Sequence, residues 1–141
     1  MSCSKIDEGI YQGGITVEFP ADVVAVLDLK THQDVLFPYA FKAYLWLPVV
    51  DGPDFPGVDW LKVAVSFIDQ CRKVGWGVLI HCRAGVSRSG MVDVAYHMYK
   101  NNWTRNKALD FVCSKRPETY PNPAFMEGLL KYQEYLQQTN H

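Results

Sequence analysis

The feature that most constrains this chain is a short apolar run, Gly77-Val78-Leu79-Ile80-His81, that breaks off at Cys82-Arg83-Ala84-Gly85-Val86-Ser87-Arg88-Ser89. Of the strands the chain suggests, this run is the most strongly indicated. From Arg88 onward the apolar residues Val92, Ala95, Tyr96 and Tyr99 recur at helical spacing. The chain must therefore pass from strand to helix within the few residues after Cys82. Gly85 relieves the steric bar to a left-handed turn, so successive N–H groups can converge on one concavity. The helix N-terminus adds partial positive charge there, and Arg88 brings a planar fork of donors suited to two phosphate oxygens. The segment reads as an anion cradle with a sulfur at its base. The same field favours thiolate over thiol, and a thiolate beneath a bound phosphate is a nucleophile aimed at phosphorus.

The rest of the chain alternates strand and helix patterns. Val23–Leu27 reads as a strand, and Tyr44–Leu47 with Val49-Val50 as another, interrupted or ended at Pro48. The segment from Asp51 to Gly57, with its two prolines, is a loop. Trp60 to Cys71 has helical periodicity. Asn101-Asn102 closes the helix after the cradle, and Thr104 caps another that runs through Ala108 and Val112 towards Arg116-Pro117. After a loop from Pro117 to Pro123, Phe125–Leu136 forms a last amphipathic helix. The pattern predicts an α/β fold: a central, mostly parallel, twisted sheet flanked by helices, with the phosphate-binding loop between a strand and a helix. The length of 141 residues points to one domain over 1–141. In such sheets ligands bind beyond the carboxyl ends of the strands, where Cys82 stands. A leaving oxygen needs a proton from another loop at that edge, and the loop after the second strand offers Asp51 and Asp54. Asp51, directly after the strand, has the better fixed position.

Charge and composition exclude other classes. Fourteen basic against fifteen acidic residues leave a net charge of -1, which argues against a general affinity for nucleic acid or anionic membrane. No run is long and apolar enough to span a bilayer, and Met1-Ser2-Cys3-Ser4-Lys5 leads into no signal region. Cys3, Cys71, Cys82 and Cys113 have no zinc-like spacing. The expectation is a monomeric, cytoplasmic protein without stable membrane insertion.

His81-Cys82-x5-Arg88-Ser89 resembles the signature of the protein tyrosine phosphatase superfamily, in the version of its small, atypical dual-specificity branch. Gly9-Ile10-Tyr11-Gln12-Gly13-Gly14 is similar to the family's opening strand motif. Leu47-Pro48-Val49-Val50-Asp51 resembles the segment ending in its general acid, 31 residues before Cys82. Arg116-Pro117 and Pro121-Asn122-Pro123-Ala124-Phe125 resemble its distal loop and last helix. The resemblance implies that Cys82 becomes a phosphocysteine and that Asp51 serves as acid and then base. Arg88, with the backbone of Arg83, Ala84, Gly85, Val86, Ser87 and Arg88, would bind the phosphate. Ser89 would donate a hydrogen bond to the departing thiolate, and His81 would orient the loop. It implies no metal or organic cofactor. The substrate would be phosphorylated protein, on tyrosine and on serine or threonine, with a phosphoinositide as the alternative.

Competing readings are weaker. An inert buried Cys82 leaves Gly85, Arg88 and Ser89 unexplained, and a catalytically dead phosphate reader would lack Cys, Arg or Asp. A rhodanese-like transferase would have no use for Asp51 or Ser89. Cys71 and Cys113 fall on apolar helix faces and read as packing, with a redox role for either left open. Tyr39, Phe41 and Phe55 could border a substrate pocket or simply pack, and the four tryptophans read as packing residues. Asp93 stands where the family has an apolar residue; a buried carboxylate there needs a partner, and His97, four residues on, is the expected one.

Overall fold

The structure, a computed structural model, describes residues 3–15, 19–33 and 41–139. Five strands, β1 (Cys3–Asp7), β2 (Ile10–Gly13), β3 (Val23–Asp28), β4 (Ala43–Trp46) and β5 (Gly77–His81), form one sheet in the order β1-β2-β5-β3-β4. β1 runs antiparallel to β2, and all other pairs are parallel. The helices are α1 (Val58–Lys73), α2 (Arg88–Asn101), α3 (Arg105–Lys115) and α4 (Pro123–Thr139).

β5, the most apolar strand, occupies the centre, where both its faces are covered. Successive side chains of a strand point to opposite faces, and the sheet's two cores follow that alternation. Ile10, Ala25, Leu27, Val78 and Ile80 join residues of all four helices in the larger core. Tyr11, Val26 and Leu79 face the other way, beneath Phe19, Phe41 and Tyr44. Described helices thus fill one core, while the second is roofed by connecting segments.

Three boundaries differ from the sequence reading. β1 was not anticipated, because Ile6 is its one buried side chain and the strand lies at the sheet edge. β4 ends at Trp46, although Leu47 N donates to Asp28 O (2.9 Å) and Val49 N to Leu29 O (3.2 Å). Pro48, with no N–H, breaks the ladder, but the segment still tracks β3 and delivers Asp51 to the carboxyl edge. α4 begins at Pro123 rather than Phe125: proline is well suited to a first helical position, and Asn122 Oδ1 accepts Phe125 N at 2.9 Å as a cap. Elsewhere local chemistry acts as expected. Thr104 Oγ1 accepts Lys107 N at 3.2 Å, and Asn102 ends α2 in the left-handed region at φ 56°.

Candidate active site

At the carboxyl end of β5 both neighbouring strands hold the chain in place. Cys82 N donates to Gly13 O (3.1 Å) at the end of β2, and Leu29 N, just past β3, to His81 O (2.8 Å). His81 is fully buried and Cys82 is 2% exposed. The chain then turns through Gly85, at φ 72°, where a Cβ would lie 2.5 Å from the carbonyl carbon of Gly13. Sterics and conformation both demand glycine there. The turn brings Gly85 N within 3.2 Å of Cys82 Sγ as a donor. Ser89, in the first turn of α2, puts its hydroxyl 3.2 Å from the same sulfur. One backbone donor and one hydroxyl therefore meet the sulfur at the N-terminal end of a fourteen-residue helix, where the partial positive charge favours anions.

Arg88 opens α2, and its Nη1 donates to Val49 O at 3.1 Å, which ties the guanidinium to the segment carrying Asp51. Asp51 Oδ1 accepts Ser87 Oγ and Asn122 Nδ2, each at 2.8 Å. The Asn122 amide also donates to Gly52 O (3.0 Å), and its backbone N donates to Ser87 Oγ (3.0 Å). The acid loop is thus latched to both the cysteine loop and the start of α4. Asp54 is exposed and stands outside this latch.

Open space lies beside the Asp51 segment and, separately, beside the cysteine loop. One cavity of about 650 Å³ is lined by Asp51, Pro53, Asn122, Ala124 and Glu127 among others. A smaller one of about 200 Å³ touches Ile15, Lys30, His32, Arg83 and Arg88. Phe55 packs against Gly128 and the larger core, and Phe41 sits edge-on to Phe19 at 5.2 Å. Neither lines these cavities, and Tyr39 lies outside the described residues. Trp60, Trp76 and Trp103 pack on the larger core, whereas Trp46 is largely exposed, with its Nε1 donating to Lys30 O at 2.7 Å.

One buried charge lies away from the cysteine. Asp93, in the middle of α2, is fully buried, and His97 Nδ1 stands 3.0 Å from its Oδ1. The imidazole is better aligned with the Asp93 main-chain carbonyl, at 2.9 Å, and among the described residues neither carboxylate oxygen has an aligned hydrogen bond. His97 Nε2 lies 3.3 Å from Asp7 Oδ2, which Lys100 Nζ also reaches at 3.1 Å. Burial pushes the Asp93 carboxyl up, against the opposing pull of His97. Burial alone would lower His97, but the Asp93 carboxylate and carbonyl, with Asp7, outweigh it and raise its pKa.

Sequence reasoning overlooked Asn122. An asparagine before a proline signals a helix cap, but nothing local shows that its amide also reaches an acid 71 residues earlier.

The model of the dual specificity phosphatase catalytic domain matches residues 17–135. The chain belongs to the dual specificity phosphatase family. It is 38% identical to MAP kinase phosphatase with leucine-rich repeats protein 3 of Dictyostelium discoideum, over 97% of this chain but 17% of that protein. It is 49% identical to human dual specificity protein phosphatase 7, over 84% of this chain and 34% of that one. The chain thus spans roughly a sixth to a third of those relatives. Among solved structures, human DUSP28 superposes with a TM-score of 0.89 at 26% identity, covering 97% of this chain and 99% of that one. That family membership accounts for the fold as a dual specificity phosphatase architecture, with a parallel sheet extended by one antiparallel edge strand.

Proposed function

We propose that this protein hydrolyses phosphate monoesters through a covalent phosphocysteine, acting on phosphotyrosine and phosphoserine or phosphothreonine in proteins. The observation that carries this reading is the meeting of Gly85 N–H and the Ser89 hydroxyl at Cys82 Sγ, in a loop whose Ser87 hydroxyl holds Asp51. Cys82 Sγ attacks phosphorus in line, the bond to the leaving oxygen breaks, and Asp51 gives that oxygen its proton. Arg88 and the loop amides hold the equatorial oxygens as charge develops. Asp51, now a carboxylate, takes a proton from water as the water attacks phosphorus. The P–S bond then breaks, orthophosphate forms, and Ser89 donates to the departing thiolate. His81, buried against the loop, keeps its orientation. The same proposal has the protein acting as a monomer in the cytoplasm.

The basic side of the smaller cavity, where Arg83 stands with Lys30 and His32, favours a second reading, hydrolysis of phosphoinositides. Phosphopeptides, phosphoinositides and phosphosugars assayed side by side separate the two. The proposal expects kcat/KM highest on phosphopeptides. A tenfold or greater preference for a phosphoinositide would overturn the protein-substrate reading and leave the chemistry standing.

A further inference from the structure

The outer surface of the cysteine loop is bonded along its length. In a trans peptide the C=O and the following N–H point in opposite directions. A carbonyl held away from the cradle therefore turns the next amide into it. Four successive carbonyls are held this way. Arg83 O accepts Ile15 N at 3.0 Å, and Val86 O accepts Tyr120 N at 3.0 Å. Between them, Ala84 O accepts Arg116 Nη2 at 3.4 Å. Gly85 O accepts both Arg116 Nε at 2.8 Å and Gln12 Nε2 at 3.0 Å. The consequence is visible at one of these peptides: where Arg116 holds Ala84 O outside, Gly85 N–H points inside, onto Cys82 Sγ.

The two ends of the loop are tied by backbone and its middle by side chains. We propose that Arg116 and Gln12 are positioning residues that aim the Gly85 and Val86 amides and so set the loop's affinity for an anion. Neither side chain touches the reacting atoms. Arg116 is 2% exposed and is the largest fully buried side chain. An interior guanidinium is costly unless its donors are used. Its Nη1 donates to Ser4 Oγ at 2.8 Å, and Glu118, 55% exposed at 3.6 Å, screens its charge only in part. The remaining positive field falls on the back of the loop. A donor on a carbonyl also polarises the same peptide's N–H, which strengthens it as a donor to phosphate. Gln12, fully buried, shares its amide between Gly85 O and Thr119 Oγ1 (3.0 Å) and holds the loop from the β2 side.

The inference rests on the phosphatase reading, and the test separates the two. Cys82 is alkylated with iodoacetate, an anion, and with iodoacetamide, a neutral reagent, and the product is mapped to residue 82. The ratio of the two rates is normalised to that of free cysteine. A wild-type ratio at or below one would remove the anion cradle, and with it both the phosphatase reading and this inference. With a wild-type ratio well above one, Arg116→Met and Gln12→Met should lower it, by about tenfold for the arginine as expected for a lost charge-assisted bond. Inhibition by orthophosphate should weaken in parallel. Ser4→Ala, which removes a partner of Arg116 outside the loop, should leave the ratio within about twofold, since it deletes one neutral hydrogen bond. If Arg116→Met does not fold, Arg116→Lys, which keeps the charge and loses the fork, and Gln12→Met carry the test. Loss of thermal stability alone would lower neither ratio. Folded variants with a wild-type ratio would overturn the inference and leave the phosphatase reading intact.

Discussion

The N-terminal end and the middle of α2 each bury polar groups, and they treat them in opposite ways. Around Cys82 the groups of the site are aimed at one another: Gly85 N–H and the Ser89 hydroxyl meet the sulfur, and Ser87 and Asn122 donate to Asp51. A turn or two along, Asp93 is equally buried, yet its oxygens have an ionic neighbour in His97 and, among the described residues, no aligned hydrogen bond. Aimed, satisfied groups are what chemistry needs, because a pre-oriented dipole does not reorganise during reaction. An ionisable pair without aligned bonds instead links folding to pH. Substitutions at the first region should therefore change rates, and substitutions at the second should change how stability depends on pH.

The largest expected effect belongs to the acid. Asp51→Asn should slow a phosphoserine-type substrate by roughly 10²–10⁴-fold, the usual contribution of a general acid. It should harm a nitrophenyl ester far less and flatten the basic limb of the pH–rate profile. Asp54→Asn should do little. The reverse outcome, with Asp54→Asn showing the leaving-group-dependent loss, would move the acid three residues along the chain and detach it from the Ser87–Asn122 latch.

Arg88→Lys comes next. Lysine keeps the charge but loses the fork, so transition-state binding should fall by about 2–4 kcal/mol, read as kcat/KM. A variant with near wild-type turnover would mean that the cradle holds phosphate without this side chain.

The smallest effect tests the other region. A histidine with a raised pKa stabilises the fold below its ordinary value of 6.5, and that contribution is lost as pH rises through the folded-state value. A carboxyl with a raised pKa destabilises the fold as it ionises, so Asp93 acts in the same direction above its ordinary 3.8. Asp7, held below the usual carboxyl range by Glu8 N–H and Lys100 in spite of its partial burial, works the other way at acid pH. Thermal midpoints should fall as pH rises from about 6 to 9, in line with the usual stability maximum of roughly pH 5–8. Asp93→Asn should flatten that slope, because the carboxyl that ionises and holds the His97 proton is gone. An unchanged slope would show that this pair does not set the pH dependence.

Much of this was legible in the sequence, for identifiable reasons. β5, the turn at Gly85 and the start of α2 follow from local pattern, because a buried central strand and a left-handed glycine leave few alternatives. Asp51 was placed through a strand that ends early, since Val49 keeps bonding along β3 past the break at Pro48. β1 escaped notice because an edge strand with one buried residue carries little periodicity. Arg116 and Asn122 were visible as residues of a motif but not as parts of the site, because their partners lie 31 or more residues away in the chain. Tertiary hydrogen bonds of that kind leave no local trace.

The central claim is that Cys82 carries the phosphoryl group between two half-reactions. The most direct test is to quench the enzyme with acid during turnover of an aryl phosphate and map the bound phosphate along the chain. The account predicts a phosphocysteine at residue 82, absent in Cys82→Ser, which should bind orthophosphate yet not turn over. Phosphate on His81 or Ser89, or undiminished turnover by Cys82→Ser, would contradict it.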